Sequence, residues 1–185
     1  MISTPSRLTV QLTNYWIPST DCPSSWAEYN ADHPGERAIK LTGGQSIILK
    51  EAFLAATQME GCGRIRGGCL CYADGEWTLL PADRFPWGVD ARGLPLVPFA
   101  SIAVDLSVIP LGSVWRLDPD DVWRLDPDDV PMRKADGSEW DGIVTAADTG
   151  GAIKGEHVDL FVGHKSDRID GDQPTPWIVR LDRMS

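Results

Sequence analysis

Residues 148–159 read DTGGAIKGEHVD, two carboxylates bracketing a glycine-rich turn directly after an apolar run. That run, Ile143-Val144-Thr145-Ala146-Ala147, has the composition of a buried strand ending at Asp148. Gly150 and Gly151 permit a tight reversal at positive φ, which would return Asp159, among Val158, Leu160, Phe161 and Val162, to the same region. Asp105 closes another apolar run, Ser101-Ile102-Ala103-Val104. Asp is seldom buried without a partner, so three at the ends of apolar segments point to one convergent acidic site. The plainer alternative is that each caps its own turn.

The 185 residues suffice for one domain with a real core. With 42% hydrophobic residues, 18 Gly and 14 Pro, the composition favours short strands and turns over long helices. The sequence has no run of apolar residues long enough for a spanning helix. A net charge of −10 argues against a nucleic-acid partner, which requires clustered Lys and Arg, and leaves room for a neutral or mixed-charge ligand such as a glycan. The stretch MISTPSRLTVQLTNYW carries no continuous apolar segment of the signal-peptide kind, so the expectation is cytoplasmic residence, another export route or a mature form.

Of the four cysteines, Cys22, Cys62, Cys69 and Cys71, the last two are two apart and share a face if they lie in a strand. Their spacing does not match a structural zinc site; buried thiols, or one disulfide to Cys62 or Cys22, are expected.

Residues 8–17 alternate like a strand, and residues 18–34 form a loop whose Trp26 and Tyr29 either stack on a sugar ring or pack down on the barrel. Residues 46–57, SIILKEAFLAAT, read as a short helix, followed by Glu60 before two glycines, placed either to approach a ligand or as a solvated turn carboxylate. Residues 64–80 carry hairpin signals with Asp74-Gly75 as the turn. VWRLDPDD occurs twice, at 114–121 and 122–129, and reads as one strand-plus-turn unit copied once; its acidic turns lack the ligand pattern of a calcium loop. Residues 177–181 close the chain as a strand, giving about seven short strands and an all-β small barrel. His157 and His164 lack zinc spacing and are read as solvent-facing, and no metal or cofactor is expected.

With these residues in place, SIAVDLSVIPLGS at 101–113, DTGGAIKGEHVDLFVG at 148–163 and, more loosely, TQMEGCG at 57–63 resemble the three-aspartate (3D) domain family, which is related to the catalytic domain of membrane-bound lytic transglycosylase A. The resemblance implies a double-psi β-barrel. Its core would lie in 93–182, with strands from 8–17 and 57–80 completing it and 18–56 inserted, all within one domain spanning 1–185. It further implies a peptidoglycan lytic transglycosylase, an enzyme that cleaves the MurNAc-β-1,4-GlcNAc bond and leaves 1,6-anhydro-MurNAc ends.

By motif position Asp159 would be the catalytic acid and base, with Asp148 and Asp105 as its carboxylate neighbours. Like charge and apolar neighbours would raise the Asp159 pKa so that it holds a proton near neutral pH. A single acid/base suits an intramolecular nucleophile, the muramyl C6 hydroxyl, better than hydrolysis by a carboxylate pair. Glu60, Thr149, Gly150, Gly151 and Lys154 would bind substrate. The expected partner is the peptidoglycan glycan strand, met by a monomer at the cell wall; the lack of a visible export signal fits a phage lysis protein or a delivered toxin. The alternatives are a non-catalytic glycan-binding barrel of expansin-like type and a divalent-metal site built from the aspartates.

Overall fold

The computed structural model describes residues 6–117, 139–167 and 177–184. The second VWRLDPDD copy and the acidic turns of both copies lie outside these residues, as does most of the polar loop before Trp177. The chain divides into two compact units, one built from Met1–Tyr15, Val97–Val162 and Asp167–Ser185, the other from Trp16–Leu96 and Gly163–Ser166.

The first unit is a closed six-stranded barrel. Its strands are β1 (Arg7–Trp16), β7 (Ser101–Val104), β8 (Val114–Leu117), β9 (Ile143–Asp148), β10 (His157–Gly163) and β11 (Trp177–Arg183), in the order β1-β10-β7-β9-β8-β11, with β11 pairing back onto β1. Closure leaves no edge strand to template aggregation. The core follows strand alternation: Leu8, Val10 and Leu12 of β1, Trp115 and Leu117 of β8, Val144 and Ala146 of β9, and Val179 and Leu181 of β11 are all buried at every second position. All four residues of β7 are buried. This strand lies between β10, which it pairs antiparallel, and β9, which it pairs parallel, with a register shift between Ile102 and Ala103. The all-β class and the double-psi barrel expected from sequence are what the chain adopts. VWRL of the first VWRLDPDD copy is β8.

The second unit holds β2 (Glu36–Lys40), β3 (Ser46–Lys50), α1 (Glu51–Glu60), β4 (Cys62–Ile65), β5 (Gly68–Ala73) and β6 (Glu76–Pro81). Here the sequence expectations need correction. The strands of 57–80 do not complete the barrel; β4, β5 and β6 make a three-stranded sheet of their own, and β2 and β3 a separate hairpin. Residues 46–50 are strand rather than helix, because Ile47, Ile48 and Leu49 pair in register with Ile39, Ala38 and Arg37. The helix starts one residue later and runs to Glu60, where Gly61 at φ 78 stops it, a conformation that side-chain-bearing residues avoid. Eleven strands are present among the described residues, against the seven expected.

Trp26, Phe53, Leu54, Leu70 and Trp77 form the core of this unit. Trp26 is buried, donates its indole N–H to the Ser19 carbonyl at 3.0 Å and meets Phe53 edge-on, so it packs inside the second unit and is not exposed for sugar stacking. Tyr29 packs against the same cluster. The β5–β6 hairpin turns at Asp74-Gly75, both at positive φ, as the Asp-Gly pair requires. Cys62 and Cys71, directly opposed in the β4/β5 register, form a disulfide; Cys22 and Cys69 are thiols, and burial pushes the Cys69 thiol up to about 12.

Candidate active site

The register of the barrel brings the aspartates together. Ala103 of β7 pairs with Asp159 of β10 on one side and with Asp148 of β9 on the other. Directly paired residues project from the same face of a sheet, so the two carboxylates flank Ala103 with their backbones two strand spacings apart, roughly 10 Å. Asp105 follows two residues beyond Ala103, just past the end of β7.

Each carboxylate has its own donors. Asp159 accepts a hydrogen bond from the Thr13 hydroxyl at 2.9 Å, and the same oxygen of Thr13 lies 2.8 Å from Nε2 of His157. The hydroxyl has one proton to give and bridges Asp159 and His157, with the role of the imidazole nitrogen set by its tautomer. Asp148 accepts from the Tyr15 hydroxyl at 3.2 Å and from the Thr149 N–H at 2.9 Å. Thr13 and Tyr15 are two apart in β1 and His157 and Asp159 two apart in β10, so strand alternation alone places each pair on one face. Tyr15 is steadied by Phe161, whose ring centroid lies 5.1 Å away.

Asp105 is held more tightly. Its Oδ2 accepts the Gly155 N–H at 2.7 Å, and its Oδ1 accepts the N–H and hydroxyl of Ser107 at 2.9 and 2.8 Å. The Gly155 bond above all, then the two from Ser107, lower its pKa to about 2, with the Lys154 charge adding to the effect and burial opposing it. Asp105 is therefore a fixed negative charge that ties the 148–157 loop to the end of β7.

The loop corrects one expectation. Positive φ falls at Gly155, at 64°, and at neither Gly150 nor Gly151. Gly150 is needed for space instead: a Cβ there would sit 2.8 Å from Cγ1 of Ile153, the buried residue that anchors the loop. Thr149, Gly151 and Lys154 are exposed beside the carboxylates in sequence, and Gly150 is half-buried. Glu60 belongs to the second unit, exposed at the end of α1, where its charge raises the Tyr29 phenol pKa behind the larger effect of burial.

His157 was expected to face solvent. It is half-buried, with its pKa lowered chiefly by burial, against an opposing hydrogen bond with the Ala152 backbone. His164 is also half-buried, 3.0 Å from Arg64 and edge-on to Trp87. Sequence reasoning missed Thr13, Tyr15 and Ser107. For Ser107 a signal existed, since Asp-x-Ser is the spacing of an Asx turn; Thr13 and Tyr15 depend on which strand lies beside β10.

The 3D domain family matches residues 100–175. Membrane-bound lytic murein transglycosylase A of Vibrio cholerae is 37% identical over 78 residues, which is 40% of this chain and 18% of that protein. The chain thus spans less than a fifth of that relative. Among solved structures, MltA of Escherichia coli, whose report describes a lytic transglycosylase fold, superposes with a TM-score of 0.51 at 18% identity, covering 96% of this chain and 72% of that one. The same enzyme with bound chitohexaose gives 0.51 at 15% identity, over 95% and 71%. The membrane-bound lytic murein transglycosylase of Agrobacterium tumefaciens gives 0.50 at 14% identity, over 99% and 75%. At these identities the structural likeness is one of fold. The resemblance carried by the aspartate motifs holds: residues 100–175 of this chain match the 3D domain family, on a fold shared with the lytic transglycosylase MltA.

Proposed function

We propose that the chain is a peptidoglycan lytic transglycosylase that cleaves the MurNAc-β-1,4-GlcNAc bond and forms 1,6-anhydro-MurNAc ends, with Asp159 as the general acid and base. The observation that carries this reading is the pairing of Asp159 and Asp148 about Ala103, with Asp159 alone set on the Thr13–His157 pair. Asp105 is excluded as the proton donor, because its three hydrogen bonds keep it ionised at any pH near neutral.

Asp159, protonated, gives its proton to the glycosidic oxygen as the bond breaks. As carboxylate it then takes the proton of the muramyl C6 hydroxyl, which closes the anhydro ring without water. Thr13 turns the carboxyl toward the bond and supports the ionised form between the two steps. Asp148, positioned by Tyr15 and the Thr149 N–H, faces the positive charge that develops at the sugar C1. Thr149, Gly150, Gly151 and Lys154 hold the substrate's N-acetyl and peptide groups; Glu60 is not needed for this reading. The substrate is the glycan strand of the cell wall.

The test is release of soluble fragments from purified sacculi. Wild type is expected to release them and Asp159→Asn to lose about 10²- to 10⁴-fold in rate, the usual share of a general acid, with an unchanged near-UV spectrum. A folded Asp159→Asn protein with full activity removes the role given to that residue. Binding to sacculi without release would make the barrel a glycan-binding module instead.

A further inference from the structure

Inside the second unit, three sulfur atoms meet. Cys62 of β4 stands opposite Cys71 of β5, and Arg64 opposite Cys69. Strand alternation puts all four on one face of the sheet. The Sγ atoms of Cys62, Cys69 and Cys71 lie within 4.8 Å of one another, and all three residues are buried. Cys62 and Cys71 are joined, while among the described residues the Cys69 thiol donates to the Gly63 carbonyl at 3.5 Å. Gly88 closes over the cluster, so near that a Cβ there would lie 2.6 Å from the Cys62 sulfur and 3.2 Å from that of Cys69.

We propose that, once the disulfide is reduced, Cys62, Cys69 and Cys71 form a three-thiolate site for copper(I), and that disulfide and metal are alternative states of the same sulfurs. Thiolates select soft ions such as copper(I) and zinc. A structural zinc site takes four protein donors. Among the described residues this cluster offers three, with the Gly88 backbone against it, which suits the three-coordinate ion. At a metal–sulfur distance of about 2.3 Å, three sulfurs around a common ion stand about 4 Å apart; reduction releases the Cys62 and Cys71 sulfurs from bonding distance to take up that spacing, and all three sulfurs start within 4.8 Å of one another. The complex of three thiolates with one monovalent cation is anionic, and the Arg64 charge, which already acts on Cys69, offsets part of it.

A small dithiol passes two electrons and two protons to the Cys62–Cys71 bond and becomes a disulfide itself; copper(I) then displaces the three thiol protons to solvent. The sequence spacing of Cys69 and Cys71 alone did not suggest a metal because the third ligand comes from the neighbouring strand.

The test uses the full chain, reduced with dithiothreitol, freed of reductant without oxygen and titrated with copper(I) against the colorimetric chelator bicinchoninate. The reduced chain is expected to take one equivalent and the oxidised chain none, with a near-UV spectrum preserved on reduction. Cys22→Ser should bind as wild type does, and Cys69→Ser at least tenfold more weakly. X-ray absorption of the loaded wild-type chain gives a reading independent of variants, with three sulfur neighbours expected at about 2.3 Å. A reduced chain that takes no copper, that loses its fold, or whose metal sees fewer than three sulfurs overturns the proposal. So does a Cys69→Ser protein that competes as well as wild type.

Discussion

In the barrel unit the reactive side chains stand at or near strand ends, and each is satisfied by donors from another strand or loop. In the second unit the clustered sulfurs lie within one sheet, where Cys62 and Cys71 satisfy one another by a bond. Asp159, Asp148 and Asp105 are held by Thr13, Tyr15 and Gly155 respectively, residues brought in by barrel closure and the 148–157 loop. Cys62, Cys69 and Cys71 come from two adjacent strands. The difference teaches that half-buried carboxyl groups can be satisfied and aimed by hydrogen bonds from other strands, whereas a buried thiol pair lowers its cost by forming a bond.

The largest effects should come from the two cores, and they test whether each unit rests on its own packing. Trp115 in the barrel and Phe53 in the second unit are fully buried. Trp115→Ala and Phe53→Ala should each cost about 3–5 kcal/mol in urea unfolding. A loss below about 0.5 kcal/mol for either, the size of a surface change, would contradict the core assigned to that unit.

Next in size is reduction of Cys62–Cys71. Closing a loop of sequence separation 9, the disulfide should contribute about 2–3 kcal/mol by restricting the unfolded chain. Followed by hydrogen exchange, reduction should raise the rates of the β4–β6 amides and leave those of β7 and β10 as they were. Equal loosening of the barrel strands would erase the contrast between the regions.

A smaller change, Thr13→Val, keeps the shape of β1 but removes the hydroxyl between His157 and Asp159. It should cost about 1–2 kcal/mol in stability, because partners of a part-buried group lose a hydrogen bond, and should lower kcat by about tenfold by misaiming the acid. Unaltered kcat would reduce Thr13 to a packing residue.

The smallest effect concerns pH. Asp105 has its pKa depressed in the folded chain, from 3.8 to about 2, so the unfolded chain takes up the proton first. Its contribution to stability is complete above the unfolded value and is lost as pH falls from about 4 towards 2. Ser107→Ala removes one of the three hydrogen bonds and should flatten that part of the stability curve. An identical curve for the variant would mean that the Ser107 hydroxyl does not support the charge.

The barrel was legible in sequence because its signals are local. Apolar runs end in Asp105 and Asp148, and the DTGGAIKGEHVD turn keeps a fixed spacing to Asp159. Register then set Asp148 and Asp159 on either side of Ala103, with Asp105 just past the end of the same strand. What stayed hidden depends on strand order. Thr13 and Tyr15 sit 146 and 133 residues from the aspartates they meet, and nothing in LTNYW announces that β1 closes against β10. The glycine-rich turn was read correctly as a turn, but its requirement was assigned to the wrong torsion, since Ile153 crowds Gly150 and positive φ falls on Gly155. In the second unit, SIILKEAFLAAT joins a strand directly to a helix, and a short apolar run cannot reveal where one gives way to the other.

The central claim is that Asp159 serves an intramolecular nucleophile, and the mass of the released muropeptides tests it most directly. Digestion of sacculi by the wild-type chain should give muropeptides one water lighter than hydrolysis products, the signature of the 1,6-anhydro ring. Products of full hydrolytic mass, or anhydro products still formed at the wild-type rate by Asp159→Asn, would contradict it.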